Sequence, residues 1–468
     1  MCDKSPLKTQ NNNEINGIAN RFLKFNKRYA VYFRSATRTV FGSALAYLKG
    51  LMQGQPGKRN IERIAEVVPE CNDQALNHMI SDSEWSADAV RDQVALDANK
   101  LLGGNSDTAL LIDDSCIKKS GSESAGVARQ WLGRFGKVDN GQVAVCAALT
   151  HGQRVSLVDY CLYLPEQWTN DYDRCKKAGI PDEYQTFKTK PQLALEIVAR
   201  QRKLGVNFGF VGADSGYGND PQFLRQLQNM DETFMVDVHS DQRIYLTNPN
   251  PFIPEKIAGS RGKQPTKYAT KECPIEVQNW TAMQPDNAWK RINIGKSTRG
   301  PKIIDVLHQR VWSWDGEEPT AHCWHLVVRR EVEKPNDIKY SLSNSPENTS
   351  IFKLAKMQDQ RYWIERSLED GKSECGLDEY QVRKWPAWQH HMALVLMAMQ
   401  FMLEERIHNS NDLPLLSCFD IRQLLIATLP KRNLSIDEVI YHMEKRHKKR
   451  HDAIESKTRK KLQVKSLE

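Results

Sequence analysis

The chain has 468 residues, enough for two to four ordinary domains, and its 40% hydrophobic and 26% charged composition suits a protein with substantial packed cores. The 66 Lys and Arg exceed the 58 Asp and Glu by eight, too mild a surplus to define a nucleic-acid-binding protein by charge alone. Ten cysteines with no C-x-x-C pair offer neither a zinc ribbon nor a disulfide framework and fit a reducing cytosol; the opening MCDKSPLKTQNNNE lacks the apolar core of a signal peptide.

Residues 1–105 are predicted to be mainly helical, with Ile61, Ile64, Ala65 and Val68 at three- and four-residue spacing. Asn72-Asp73 caps a second short helix carrying Leu76, Met79 and Ile80. A helix, turn and helix opening on Lys58-Arg59 suits a DNA-reading unit and a plain helical bundle equally well.

Three strands follow, at 109–114, 142–150 and 155–164, then a helix at 192–204, a strand at 208–214, a helix from Pro221 and a strand at 233–238. Leading strands followed by alternating helix and strand fit an α/β fold, a mixed sheet with helices against it. Between 241 and 355, strand-like runs at 289–294, 303–314, 322–332 and 338–342 are separated by turn clusters at 296–301, 315–319 and 334–337. Within this β-rich insertion, Lys256, Arg261, Lys263, Lys267 and Lys271 lie in a Gly- and Lys-rich loop suited to neutralising phosphates. His308, Arg310, Trp312 and Trp314 alternate onto one strand face, where aromatic rings beside cations can stack on an unpaired base. Alternating Trp is more often sheet core.

Residues 356–408 are helical, and their apolar run 392–403, about twelve residues against the roughly 20 of a membrane span, reads as a buried core helix. The helical end, 409–468, is basic: residues 445–461 hold nine Lys or Arg against two acids. His447 and His451 share a helix face but lack a third ligand, so a solvated or DNA-contacting helix is the stronger reading.

Two apolar strands end on acids, Ile112-Asp113-Asp114 and Gly212-Ala213-Asp214, and Glu365 lies in a polar helix. A single acid at a strand end is ordinary turn chemistry. Here both strand ends run into polar loops, Ser115 to Ser124 and Ser215 to Asp220, where open α/β sheets bind ligands. Two strand-end aspartates and a helical glutamate can hold a pair of divalent metals about 3.5–4 Å apart, which stabilise both oxygens of an in-line phosphoryl displacement. Magnesium, with its oxygen ligands, suits such a site. No Walker A, H-E-x-x-H or G-x-S-x-G motif offers a competing chemistry.

The strings IDDSCIKKSG, GVARQWLGRFGKVDNGQVAV, GADSGYGND, YSLSNSP and RYWIERSLEDGKSECGLDEYQVRKWPAWQHHMAL, in that order over roughly residues 105–405, resemble bacterial insertion-sequence transposases of the DDE type. The resemblance implies a ribonuclease-H-like core in two parts, 106–240 and 356–408, interrupted by a β-rich insertion at 241–355 that should lie over the active site, with helical regions at 1–105 and 409–468. It also implies an enzyme that cleaves transposon-end DNA and joins the 3′-hydroxyl to target DNA with two Mg²⁺ ions, Mn²⁺ being able to substitute. A homodimer in the synaptic complex and a cytoplasmic protein, nucleoid-associated on DNA, follow from the same likeness. Residue by residue, the triad becomes Asp114, Asp214 and Glu365; Arg361 and Lys372 match the arginine four residues before the glutamate and the lysine seven after, and both should be exposed phosphate ligands. The tyrosine of that signature is replaced by Gln358.

The doublet Asp113-Asp114 splits across the strand, Asp114 sharing a face with Leu110 and Ile112, and Asp113 with Leu111. Periodicity does not say which face bears the site; the family pattern, an acid followed directly by Ser or Thr, favours Asp114. Two other functions stay open: a ribonuclease-H-like nuclease that cuts without joining, and an inactive transposase-derived DNA-binding protein.

Overall fold

The computed structural model describes residues 17–34, 38–69, 71–256, 263–297 and 300–465. All five predicted strands form, β1 (Ala109–Lys118) and β3 (Lys137–His151) longer than expected and β4 (Arg154–Leu162), β5 (Phe210–Ala213) and β6 (Phe234–Val238) shorter, with β2 (Ala128–Leu132) added between the first two. Strand β1 pairs antiparallel with β3 on one side and parallel with β5 on the other, β5 pairs parallel with β6, and β4 continues from β3. This mixed sheet with flanking helices is the ribonuclease-H-like arrangement.

Each strand sends alternate side chains to opposite faces, and both faces are covered. Leu110, Ile112, Val145, Val211 and Val236 pack with the Ala87–Leu102, Lys190–Leu204 and Pro221–Asn229 helices. Leu111, Cys146, Phe210 and Met235 face the Ile351–Gln360 and Tyr362–Ser373 helices through Leu354, Met357, Ile364 and Leu368. The same core continues into the Trp385–His408 helix and the N-terminal helices.

That helix is buried around most of its circumference, which an all-round apolar sequence demands. Its polar members are answered from the N-terminal helices: the His391 Nδ1 lies 2.9 Å from the Tyr47 hydroxyl, the His390 ring lies between the Ile80 and Trp85 carbonyls, and Arg21 pairs with Glu405. Among the described residues, no helix is long and apolar enough to cross a membrane.

The insertion supplies β7 (Lys290–Ser297), β8 (Gly300–Ser313), β9 (His322–Glu331) and β10 (Lys334–Ser343). Expected as a layer over the site, these strands instead continue the sheet in its own plane, because the free edge of β6 pairs antiparallel with β10. The turn expected over 334–337 is also strand: β9 and β10 meet at Val332-Glu333, and Pro335 is tolerated where β10 has only β9 as a neighbour.

The two helices read as a DNA-reading unit form as Ile61–Val67 and Asp73–Ser81, the second capped by Asn72, whose side chain accepts from Gln74 and Ala75 N–H groups. Both are tied to distant parts of the chain. Arg59 is buried and donates 2.6 Å to the Ser373 carbonyl, and Glu66 and Asp73 pair with Arg446 at 2.6 Å and Lys445 at 2.7 Å of the basic Ile436–Lys465 helix.

Candidate active site

Sheet register brings three aspartates into one row. Ile112 pairs with Ala213, and Ala213 with Val236, so the next residues, Asp113, Asp214 and Asp237, stand side by side where the parallel pairing of the three strands stops, Asp113 midway along β1 and the other two at the ends of β5 and β6. Asp113 lies opposite Cys146 across β3, and Asp237 follows Met235 by two positions; both Cys146 and Met235 belong to the core under the Tyr362–Ser373 helix. The row therefore faces the helix that carries Glu365.

Asp114 lies on the other face, opposite Val145. Its carboxylate is already engaged there: Tyr217 donates to Oδ1 and Lys190 to Oδ2, each at 2.5 Å. Asp113 and Asp114 thus serve opposite faces, because one residue along a strand reverses the face.

Asp214 caps the short Ser215–Gly218 turn of helix, its Oδ1 accepting from Gly216 N–H at 3.0 Å. That turn presses on β6. A Cβ on Gly218 would stand 2.0 Å from the Asp237 carbonyl oxygen, so this position of the Gly-Tyr-Gly run admits only glycine without displacing the strand. Burial, and then the Asp214 charge, push the Asp113 carboxyl up to about 7, against the pull of Arg361. Asp214 is raised as well, by burial and then by Asp114. Burial and neighbouring acids thus both disfavour the charged forms of these two carboxyls.

Arg361 supplies the positive charge. It occupies the joint between the two helices, its Nε 2.6 Å from Asp237 Oδ2 and its Nη2 bonded to Glu365 Oε1. Burial works against its charge, but Asp237, Glu365, Asp113 and Asp214 outweigh burial and raise its pKa above the ordinary arginine value. Asp237 is held in turn by Ser341 Oγ at 2.6 Å, which accepts from Gln358 Nε2 at 2.7 Å. Gln358, standing where the family signature has tyrosine, thus supports the arginine's anchor from a buried position. The donors are all carboxylate oxygens, the kind Mg²⁺ takes. Yet among the described residues no three Asp, Glu, His or Cys side chains converge as a closed metal shell, with Glu365 turned to Arg361.

The other expected residues are spread out. Arg361 and Lys372 were expected to be exposed, and both are partly buried. Burial lowers the Lys372 pKa, and Cys116 and Cys146 are among the groups around it, which places it beside β1 and β3. Arg310 gives its Nη2 to the Cys323 carbonyl at 2.8 Å, and the Trp312 backbone bonds to Tyr245. Both lie on β8, three strands beyond β6, at least about 14 Å across the sheet at ordinary strand spacing. Trp314 is parted from them at the strand end, its indole N–H donating to the Glu318 carbonyl. Lys263 is exposed, and Arg261 falls outside the described residues.

Asp237 and Lys190 were not singled out from sequence. A signal existed for the first: in Phe234-Met-Val-Asp-Val the acid interrupts an apolar strand on the Met235 face. For Lys190, nothing local distinguishes it from any lysine opening a helix.

Residues 29–301, more than half of the chain, match the family model described as DDE superfamily endonuclease. The chain is also similar to a protein of Microchaete diplosiphon described as a probable transposase for insertion sequence element IS701, with 23% identity over 367 residues, covering 78% of this chain and 83% of that one. With that family match lying over a ribonuclease-H-like sheet, this chain belongs to the DDE superfamily endonucleases.

Proposed function

We propose that the protein is a transposase that cuts DNA at the ends of a mobile element and joins the freed 3′-hydroxyl to target DNA. The observation that carries this reading is the placement of Asp113 and Asp214 one residue beyond the Ile112–Ala213 pair of adjacent parallel strands, on the face of the Glu365 helix. These three would hold two divalent ions, Mg²⁺ or Mn²⁺, which when bound supply Lewis-acid stabilisation of the attacking and leaving oxygens. Asp114, on the reverse face, acts as a positioning residue: by gripping Tyr217 and Lys190 it fixes the turn that begins at Asp214.

Arg361 and Lys372 would meet phosphates near the cut, where fixed cations stabilise developing negative charge. Lys263, Lys267 and Lys271 would contact duplex further out, and Arg310 and Trp312 would contact it through the insertion. The relative's description supports a mobile-element substrate. Two ends must be brought together, so a homodimer in the synaptic complex, formed on DNA in the cytoplasm, belongs to the same reading. So does a division into a catalytic core, an insertion and two helical flanks.

The test uses the DNA bordering the gene. Purified protein, Mg²⁺ and a duplex carrying that border are incubated with a supercoiled plasmid, and products are resolved on a sequencing gel. Nicks at a fixed position followed by border–plasmid joints support transposition. Nicks without joints would indicate a nuclease, and binding without nicks a DNA-binding protein.

The basic tail gives a separate prediction. Lys445, Arg446 and Lys449 are committed to Asp73, Glu66 and Glu62, leaving Lys448, Arg450 and Lys457 among those that can meet phosphates. Deleting residues 445–468 is expected to weaken binding and to flatten the slope of log K against log salt by about 0.9 for each phosphate that the tail neutralises. Equal slopes for full-length and truncated protein would show that the tail faces only solvent.

A further inference from the structure

Four carboxylates, Asp113, Asp214, Asp237 and Glu365, act electrostatically on a single guanidinium. Two of them touch it directly: Asp237 through Nε at 2.6 Å and Glu365 through Nη2. The two pairings are unequal in kind. Asp237 is fixed by the buried Ser341 and Gln358, whereas Glu365 is about half exposed and has its own helix as its main support. The arginine is therefore tethered firmly on the Asp237 side and lightly on the Glu365 side. Without it, the row would carry several negative charges at one end of the sheet, each at a desolvation cost.

We propose that Arg361 is the resting counter-ion of this carboxylate cluster, that it competes with divalent metal for Glu365, and that Asp237 is the anchor that keeps it beside the site once it is displaced. The proposal rests on the metal-dependent reading above. It accounts for the absence of a closed three-ligand shell among the described residues, since the guanidinium holds the glutamate that would complete one. It also makes DNA and metal cooperative. A backbone phosphate that draws Arg361 away from Glu365 frees a ligand, so each of the two tightens the other's binding, by equal factors.

The experiment measures Mn²⁺ binding to full-length, DNA-free protein by the electron paramagnetic resonance signal of free Mn²⁺, which needs no turnover. Arg361→Gln is expected to bind Mn²⁺ at least about tenfold more tightly than the wild type, or about 1.4 kcal/mol. Arg361→Lys keeps the charge but loses the planar two-sided fork, so its affinity should fall between them. It also serves if the glutamine variant is poorly folded. Arg366→Gln removes the same charge from the same helix, where it pairs with Asp370, and should change affinity less than twofold. Equal Mn²⁺ affinity in wild type, Arg361→Gln and Arg361→Lys, with binding abolished by Asp113→Asn, would overturn the counter-ion proposal and leave the metal site standing. A like gain in Arg361→Gln and Arg366→Gln would reduce the effect to general charge and overturn it too. No Mn²⁺ binding in any variant would overturn both readings.

Discussion

Asp113→Asn lowers single-turnover DNA cleavage by about three orders of magnitude or more, whereas Asp114→Asn costs at most about tenfold. The first figure corresponds to roughly 4 kcal/mol of transition-state stabilisation. Asp113 stands in register with Asp214 on the face of the Glu365 helix, so replacing its carboxylate by an amide removes a charged oxygen from the proposed metal set. Asp114 meets Lys190 and Tyr217 on the opposite face, and an asparagine there still accepts from the Tyr217 hydroxyl while losing a partly exposed ion pair. Rates with Mg²⁺ on a border-containing duplex, alongside melting curves showing both variants folded, decide the ranking. The reverse order would put Asp114 at the metals and the observed strand face out of the chemistry.

The largest expected loss of stability comes from Asp159→Ala. Asp159 is fully buried on β4 and holds Arg200 through two hydrogen bonds, Nε–Oδ2 at 2.9 Å and Nη2–Oδ1 at 2.6 Å. Gln201 donates to it at 2.6 Å and Arg91 approaches to 3.4 Å. It thereby ties β4 to the Ala87–Leu102 and Lys190–Leu204 helices. Alanine leaves the buried Arg91 and the mostly buried Arg200 without their common counter-charge, which costs about 3–5 kcal/mol. Asp159→Asn keeps an acceptor and should cost less. Urea unfolding of the two variants measures this; a midpoint for Asp159→Ala equal to wild type would mean that solvent or another acid takes over both arginines.

The positions of the strands and most helices were legible in the sequence because burial imposes its period locally. Apolar runs ending in acids marked β1 and β5, and the Asn72 cap and the apolar stretch 392–403 marked their helices. Asp214 stood out for the same reason, as a polar group where an apolar pattern stops, whereas Glu365, inside a polar helix, was singled out through the family signature. What a local pattern lacks is any reference to the other side of a packed surface. The doublet Asp113-Asp114 divides between two faces that look alike in one strand, and only the packing of the 351–373 helices on Leu111, Phe210 and Met235 tells which of the two acids shares a face with the helix of Glu365. Asp237 becomes part of the row only through the pairing of β5 with β6, and the insertion's place in the plane of the sheet only through the free edge of β6 meeting β10. Charges behaved likewise. Arg361 and the tail lysines read as solvent- or DNA-facing cations until tertiary packing supplied Asp237 and the acids of the 61–81 helices, because a charge's environment is set by its neighbours in space and not by its neighbours in the chain.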